Sequence, residues 1–549
     1  MSAVLGINAV FHDPAAAVVV DGVVLAAAEE ERFTRRKHGK EPVPFSTWEL
    51  PVHAARWCLA TAGLAPGDLD AVAYSYHPGL ATRSSDDLTA RGWEELRTLY
   101  VRRAPLFLRT ALPGLDPERV RFVPHHVAHA ASAYLAAPFG DASVLVVDGR
   151  GECASHLAAD VVQGRLRVLA SQRLPHSLGL FYEAATEHLG FQRASDEYKV
   201  MALASYGTPR FLGELRRHVR ADGEGGYAVD PLDWSRFVPR RAPESDWSAA
   251  HADLAASVQA RLEEVLLELA RWLHARTGRR RLALAGGVAL NCVANSRLRR
   301  EGPFEDVWIP PAAGDAGTAL GAALHVARCL GDALVHVDTA ALGRGWSADE
   351  LAAWLAGARL PHERPTSMAD AVADVLAADG VVAWFQGRSE YGPRALGHRS
   401  LLADPRQAAN VERLNVVKGR EQFRPVAPMV LLERAAEIFE GPVPSPYMLF
   451  THRVRPAWRT RIPAVVHVDG SARVQTVDRA DEPLLATLLD AFAARTGVPL
   501  VVNTSLNTAG RPMVDDPRDA LECFGSAPID ALALGPFLLR RAACWSAAA

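Results

Sequence analysis

The chain has 549 residues, of which 49% are hydrophobic and 22% are charged, and its formal net charge is −3. This composition is typical of a globular protein with room for roughly two to four domains. The small net charge disfavours a nucleic-acid partner, and we find neither a run of roughly 18 apolar residues that predicts a membrane span nor a basic leader. Six scattered cysteines without a CxxC pair favour free thiols in a reducing cytoplasm.

The first predicted elements are a buried strand over 4–8 and a hairpin over 15–28, whose Asp-Gly pair suits a type I′ turn. His12 and Asp13 lie in the short loop between them. A polar pair in such a loop either faces a cleft or merely closes a turn.

A histidine cluster follows the apolar run 120–124. Residues four apart share one face of a helix, so His125 and His129 can present two imidazoles to one metal ion. Zinc proteases carry Glu directly after the first His, and here that position is His126, which disfavours a metalloprotease. A polar helix start with incidental histidines is the alternative.

Two acidic residues stand in similar places further along the chain. Asp148 ends the apolar strand 144–147, and Asp315 lies in a glycine turn before an alanine-rich helix. An acidic residue followed by glycines suits a turn that faces a metal ion or a phosphate, and an ordinary turn is the alternative.

A glycine pair predicts a phosphate site. The strand 282–285 runs into Gly286 and Gly287, and a helix is predicted to begin near Asn291. The GxxxxGK[ST] pattern is absent, so this is not a P-loop.

The order strand, hairpin, strand, helix occurs twice before about residue 330. It predicts a duplicated α/β architecture of the actin and sugar-kinase class, with a nucleotide cleft between the halves. The segments 76–115 and 208–252 are predicted to be irregular, and loops of this kind often determine specificity for a ligand.

The chain changes after a break near 331–350, where arginines occur among glycines. Guanidinium groups in turns are suitable donors to a bound phosphoanion, and a surface ion pair is the alternative for each one alone. The basic residues concerned are Arg394, Lys418, Arg420, Arg424 and Arg473.

Taken in order, these stretches resemble the O-carbamoyltransferases of natural-product biosynthesis, which include enzymes that carbamoylate aminoglycosides and nodulation factors. The matching stretches are 11–13, 29–33, 125–130, 147–149, 199–203, 286–291, 392–397, 467–470 and 503–507. The resemblance extends over nearly the whole chain.

The resemblance implies two domains. Residues 1–340 would form an actin-like carbamoyl-transfer domain similar to the protein that makes threonylcarbamoyl-adenosine on tRNA. Residues 341–549 would form a YrdC-like α/β domain that makes carbamoyl-adenylate. The implied activity is ATP-dependent transfer of the carbamoyl group of carbamoyl phosphate to a hydroxyl of a small molecule, an aminoglycoside or another sugar-containing antibiotic. Neither nucleic acid nor membrane is an expected partner, and a homodimer is compatible with the family.

The resemblance also implies site residues. Lys37 is expected to meet the carbamoyl-adenylate, and His12 stands where the family places its candidate base. The implied ligands of a metal ion, Fe(II) in the family, are His125, His129, Asp148 and Asp315. ATP, with Mg(II), and carbamoyl phosphate would be held by Arg394, Lys418, Arg424, Arg473, Asn503 and Ser505, and Gly286, Gly287 and Asn291 are further candidates for binding nucleotide. His398 and Leu506 depart from the Asn and Phe of the family pattern.

Two other functions were weighed. A tRNA-threonylcarbamoylating enzyme is disfavoured because the chain is slightly acidic and has no basic stripe for RNA. A sugar kinase or ATPase leaves the histidine pair and the arginine-rich C-terminal part without a role.

Overall fold

A computed structural model of the chain describes residues 2–39, 49–81, 88–441 and 443–546. The chain divides into two compact units, Met1–Asp338 and Thr339–Ala549. Among the described residues, no helix combines the length and the apolar character that crossing a membrane requires.

The first half of the N-terminal unit contains a five-stranded sheet within the described residues, with the order β3-β2-β1-β4-β5. Its strands are β1 (Ala3–Asn8), β2 (Ala15–Val20), β3 (Val23–Glu29), β4 (Ala71–Tyr74) and β5 (Val120–Phe122). β1, β2 and β3 are antiparallel, whereas β1, β4 and β5 are parallel. The helices are α1 (Glu31–Thr34), α2 (Val52–Ala62), α3 (Leu88–Ala111) and α4 (His125–Tyr134).

The second half repeats this topology. Its elements are β6 (Ala142–Val147), β7 (Ala154–Val162), β8 (Arg165–Arg173), α5 (Leu178–His188), α6 (Glu197–Leu203), α7 (Leu212–His218), β9 (Val219–Ala221), β10 (Tyr227–Val229), α8 (Ala249–Thr277), β11 (Arg281–Ala285), α9 (Cys292–Glu301), β12 (Asp306–Trp308) and α10 (Ala316–Leu330). The sheet order is β12-β11-β6-β7-β8, with an antiparallel β6-β7-β8 meander and parallel β6, β11 and β12. The duplicated α/β architecture is therefore confirmed.

The close approach of α4 and α10 positions the site. A Cβ added at Gly321 of α10 would lie 1.9 Å from the carbonyl oxygen of Ala128 in α4, so only glycine allows this contact. Because α4 carries His125 and His129 and α10 begins directly after Asp315, the contact brings these three side chains together.

The prediction of an irregular segment over 76–115 is wrong, because α3 occupies most of it. The buried face of α3 includes Tyr100, Ala104 and Leu108, which are four residues apart. Exposed arginines between these positions obscure the helical period in the sequence. The segment 208–252 is largely irregular, as predicted, apart from α7 and the short strands β9 and β10.

The C-terminal unit is a mixed α/β domain. Its strands are β13 (Val382–Phe385), β14 (Arg399–Ala403), β15 (Ala427–Leu431), β16 (Thr451–Arg453), β17 (Ser471–Arg473), β18 (Gln475–Val477), β19 (Leu500–Ser505), β20 (Ala531–Leu534) and β21 (Phe537–Arg540). Its helices are α11 (Ala348–Ala358), α12 (Met368–Ala377), α13 (Asn410–Val417), α14 (Leu432–Ile438), α15 (Pro456–Arg459), α16 (Pro483–Thr496), α17 (Pro517–Ser526) and α18 (Arg541–Ser546). Within the described residues, seven strands form one sheet in the order β18-β15-β19-β14-β13-β20-β21. This sheet and the packed helices α12 and α16 form the core of the unit.

Candidate functional site

Four buried side chains converge inside the N-terminal unit. One ligand atom from each lies within 4.8 Å of the others, and the residues are His125, His129, Asp148 and Asp315. Nε2 of His125 is 3.5 Å from Oδ2 of Asp148, and Nε2 of His129 is 3.3 Å from Oδ1 of Asp315. Donor atoms about 2.1 Å from a metal ion lie roughly 3.4 Å apart in a tetrahedron, so these separations match a metal site.

Each carboxylate of this cluster accepts a backbone N–H with one oxygen and turns the other oxygen towards the histidines. Oδ1 of Asp148 accepts the backbone N–H of Gly287 at 2.8 Å, and Oδ2 of Asp315 accepts the backbone N–H of His12 at 3.2 Å. The other oxygen of each faces the histidines. This orientation, with outer-shell support from the backbone, suits carboxylates that could bind a metal ion.

His125 is oriented in the same way. Its Nδ1 lies 3.3 Å from the carbonyl oxygen of Ser75, and its backbone N–H donates to Oε1 of Glu152 at 2.8 Å. With the proton on Nδ1, the lone pair of Nε2 points into the cluster. Glu152, which also accepts the backbone N–H of His77, is a supporting residue that sequence reasoning missed.

The electrostatics of the cluster favour a cation. Burial alone would raise the pKa values of Asp148 and Asp315, but the histidines hold both below the usual range of a carboxyl. In turn, the two carboxylates overcome burial and raise the pKa of His125 well above its ordinary value. A divalent cation bound here would replace the proton that the carboxylates favour on His125, and its charge would neutralise the two buried carboxylates.

The residues therefore fit a metal ion. Nε2 of His125 and Nε2 of His129 are buried, and neither has a hydrogen-bond partner among the described residues. A buried nitrogen without a partner is costly, and a metal bond satisfies it. His126 lies beside this set, with Nε2 at 4.0 Å from Oδ2 of Asp148, and burial lowers its pKa to about 3.

The glycine pair lies against this cluster. Gly287 donates its N–H to Asp148, and Asn291 caps α9 by accepting the N–H of Ala294 at 3.0 Å. The side-chain amide of Asn291 also donates to Gln259 at 2.9 Å. The predicted role of Gly286, Gly287 and Asn291 in nucleotide binding stays a prediction.

The two candidate catalytic residues lie in neighbouring segments. The loop between β1 and β2 brings the backbone of His12 to the metal cluster, and the His12 ring lies 6.1 Å from that of His38. Lys37 begins a 3-10 turn, Lys37–Gly39, with Nζ 5.7 Å from the centre of the Tyr198 ring.

The C-terminal unit gathers its polar residues around β19. Nζ of Lys418 donates to the carbonyl oxygen of Ser505 at 2.5 Å, to its Oγ at 2.9 Å and to Oδ1 of Asn507. Nδ2 of Asn503 donates to Oε1 of Gln475 at 2.6 Å and to the carbonyl of Ala395 at 3.1 Å. Residues from four separate sequence stretches thus meet at one strand.

The predicted donor-site cations belong to these stretches. Arg394 precedes Ala395, and Arg473 ends β17 two residues before Gln475. Arg424 is close enough to Lys418 that burial, together with the charges of Arg420 and Arg424, lowers the pKa of Lys418 well below its usual value. An anion bound here would relieve this repulsion.

The two residues that depart from the family pattern, His398 and Leu506, differ in their surroundings: the first contacts a carboxylate and the second lies in the core. Nε2 of His398 lies 3.0 Å from Oε1 of Glu482, and although burial lowers its pKa, this carboxylate raises it above the ordinary value. Leu506 is fully buried in the core of the unit.

Comparison with known proteins agrees with this architecture. The family model of the carbamoyltransferase N-terminus matches residues 3–324, and that of the carbamoyltransferase C-terminus matches residues 373–541. The nodulation protein NolNO of Sinorhizobium fredii is 38% identical over 97% of this chain and 80% of its own length. An uncharacterized protein of Synechocystis sp. is 37% identical over 99% of this chain and 97% of its own length.

The chain therefore belongs to the carbamoyltransferase family, and it is a carbamoyltransferase enzyme. Nodulation protein U of Bradyrhizobium diazoefficiens is also similar, with 34% identity over 93% of each chain. Among solved structures, HypF of T. kodakarensis is similar to 60% of this chain and 48% of its own, with 15% identity and a TM-score of 0.39. Family membership favours carbamoyl transfer over the tRNA-modifying and sugar-kinase alternatives.

Proposed function

We propose that this carbamoyltransferase uses ATP and carbamoyl phosphate to form carbamoyl-adenylate in the C-terminal unit, and transfers the carbamoyl group to a small-molecule hydroxyl in the N-terminal unit. The observation that carries the proposal is the buried cluster of His125, His129, Asp148 and Asp315. A preformed site for a divalent cation is suited to binding the phosphate of an adenylate. The actin-like N-terminal unit provides the scaffold that holds this site.

The proposed reaction balances in three steps. Water and carbamoyl phosphate give carbamate and phosphate. A carbamate oxygen then attacks the α-phosphorus of ATP and pyrophosphate leaves. Finally the acceptor oxygen bonds to the carbamoyl carbon, AMP leaves, and the hydroxyl proton passes to a base. Adenylation supplies the leaving group that an alcohol needs for acyl transfer.

In the C-terminal unit, the cations are proposed to hold the phosphoanions. Arg394, Arg424 and Arg473 supply fixed charge and paired N–H donors. Lys418, which is held against Ser505, supplies a compact charge in a buried setting. Asn503 adds a buried Oδ1 that has no hydrogen-bond partner among the described residues.

In the N-terminal unit, the four buried ligands are proposed to hold Fe(II). When bound, the ion would supply charge stabilisation for the adenylate phosphate. Lys37 lies in the segment that precedes His38 and is proposed to meet the adenylate. The acceptor class proposed is a sugar-containing natural product such as an aminoglycoside, on the strength of the family resemblance.

Two measurements test this proposal. Pyrophosphate release from ATP should depend on carbamoyl phosphate, and mass spectrometry should detect one carbamoyl group on an alcohol from a panel of sugar and polyketide acceptors. Pyrophosphate release without carbamoyl phosphate, or ADP as the nucleotide product, would contradict it. The same assays with tRNA as the acceptor separate the tRNA-modifying alternative.

A further inference from the structure

Beside the metal cluster, the N-terminal unit contains a hydrogen-bonded chain of three side chains. Oδ1 of Asp13 lies 2.8 Å from Nδ1 of His38, and Nε2 of the same imidazole lies 2.9 Å from Oγ of Ser195. The carboxylate, imidazole and hydroxyl follow the order of a catalytic triad, in which the carboxylate orients the imidazole and the imidazole acts as general base towards the hydroxyl. The residues come from three distant segments, since His38 and Ser195 are 157 positions apart.

The backbone around this chain is strained. Asp13 and His38 have φ values of 44° and 62°, and Ala194, which precedes Ser195, has a φ of 58°. Non-glycine residues rarely adopt this left-handed region, and such strain concentrates at functional sites. Oε2 of Glu31 accepts the backbone N–H of His38 at 2.8 Å and helps to hold this conformation.

The hydrogen-bonded set of Asp13, His38 and Ser195 lies near the metal cluster and is partly exposed to solvent. The residue before Asp13, His12, donates its backbone N–H to the metal ligand Asp315. The side chains of His38 and Asp13 are 29% and 35% exposed, so a small molecule can reach the imidazole. By comparison, the imidazoles of His125 and His129 are fully buried.

We infer that Nε2 of His38, oriented by Asp13, is the atom that takes the proton from the acceptor hydroxyl, and that Oγ of Ser195 occupies the place of that hydroxyl in the free enzyme. This inference rests on the proposed transfer to an alcohol, and it assigns the base role to His38 where the family resemblance suggested His12. Ser195 shows the geometry of the step, because its hydroxyl already lies at hydrogen-bond distance from the imidazole.

In the transfer step, the acceptor oxygen forms its bond to the carbamoyl carbon as its proton moves to Nε2 of His38. The bond between that carbon and the adenylate oxygen breaks, and AMP leaves with the electron pair. Nδ1–H of His38 donates to Asp13 throughout, so the imidazolium that forms is stabilised by a carboxylate. The proton then passes to solvent.

The surrounding charges make His38 a stronger base. Burial lowers its pKa, but Asp13 and then Glu31 outweigh burial and the nearby Lys37, so the pKa of His38 is above 6.5. The imidazole partner in turn holds the pKa of Asp13 below its usual value, against the effect of burial and of Asp315. His12 is the other titratable ring that faces His38.

The test is the pH dependence of transfer in the metal-loaded full chain. In the wild type, kcat/KM for the acceptor should fall as pH drops through the pKa of His38. His38→Gln keeps a polar side chain but cannot take the proton, so it should lower the transfer rate by roughly 10²–10⁴-fold and abolish this acid limb. Asp13→Asn should move the limb to lower pH, because His38 loses the anion that raises its pKa.

Ser195→Ala should lower KM for the acceptor and keep the acid limb, because it removes a competing hydroxyl. Metal content and pyrophosphate release report whether each variant is folded, and His336→Gln, an exposed histidine of the same unit, is the matched control.

An unchanged rate and acid limb in His38→Gln would overturn the inference, as would a larger loss in His12→Gln. Loss of turnover in Ser195→Ala, with a carbamoylated serine in the wild type, would replace it with a nucleophilic serine. A wild type that releases pyrophosphate but carbamoylates no alcohol would overturn the proposed function itself.

Discussion

The backbone N–H of Gly287 donates to Oδ1 of Asp148 at 2.8 Å, so a glycine turn after one strand orients a carboxylate that follows another. The neighbouring Gly286 has a φ of 94°, and a Cβ there would lie 2.2 Å from the carbonyl oxygen of Val147. The turn therefore requires glycine for a steric reason. It links the strand end after β11 to the metal cluster.

Substitutions in this turn should separate folding from metal binding. Gly286→Ala places a side chain against backbone at a positive φ and should cost at least about 1–3 kcal/mol of unfolding free energy. Gly213→Ala, with nothing within 4 Å of the added Cβ in α7, should be neutral or stabilising. Thermal unfolding of both variants checks this prediction, and equal stability would contradict it.

Gly287→Ala should act on the metal instead. Its added Cβ lies 3.1 Å from Oδ1 of Asp148, which is tight enough to displace the carboxylate slightly. We expect metal affinity to fall by roughly 10–100-fold, the range for lost outer-shell support, with the fold retained. Competition with a chelator measures the affinity, and wild-type affinity in this variant would show that the turn does not orient the ligand.

The proposed metal ligands give a third prediction. His125→Ala and Asp148→Ala should each lose stoichiometric metal and carbamoyl transfer while the chain stays folded. Metal added at about 100 times its Kd should stabilise the wild type by ~2.7 kcal/mol by mass action and should not stabilise either variant. Elemental analysis and thermal shift are the measurements, with His336→Ala as the exposed control. Full metal occupancy in either variant would remove that residue from the site.

Much of this site could be predicted because it depends on local patterns. An i, i+4 histidine pair, acidic residues after apolar strands and an Asp-Gly hairpin turn each have a short-range physical cause. The structure gives Asp21 and Gly22 φ values of 51° and 79°, as the type I′ turn requires. The long helix over 249–277 ends at Gly278 in a left-handed cap, the position where glycine is favoured.

The remainder depends on tertiary contacts that no local pattern encodes. In the sequence, His38 ends the charged run 29–38, a pattern typical of solvated surface. Its left-handed backbone and its contacts with Asp13 and Ser195 arise only in the fold. Glu152 supports His125 across 27 positions through a backbone N–H, which carries no sequence signal. The α3 helix was missed because exposed arginines obscured its buried face.

Arg473 tests the donor site in the C-terminal unit. Arg473→Ala removes a charged, paired donor to a phosphoanion and should reduce carbamoyl-phosphate-dependent pyrophosphate release by at least about tenfold, equivalent to one charge-assisted hydrogen bond. Arg479→Ala is the control, because that arginine is half exposed and pairs with Glu433 and Asp490 at the surface. Normal release from Arg473→Ala would exclude this residue from the donor site.

Lys418 gives the last prediction, which concerns protons. Burial and the charges of Arg420 and Arg424 lower the pKa of Lys418 well below 10.5 in the free protein. A bound phosphoanion favours the charged amine and raises that pKa again. Between the lowered pKa and 10.5, binding of carbamoyl phosphate should therefore take up a proton, and affinity should fall as pH rises through this window. Calorimetric titration in two buffers of different ionisation enthalpy measures the uptake. Lys418→Met should bind more weakly and lose the buffer-dependent heat, whereas the same proton uptake in this variant would assign the titration to another group.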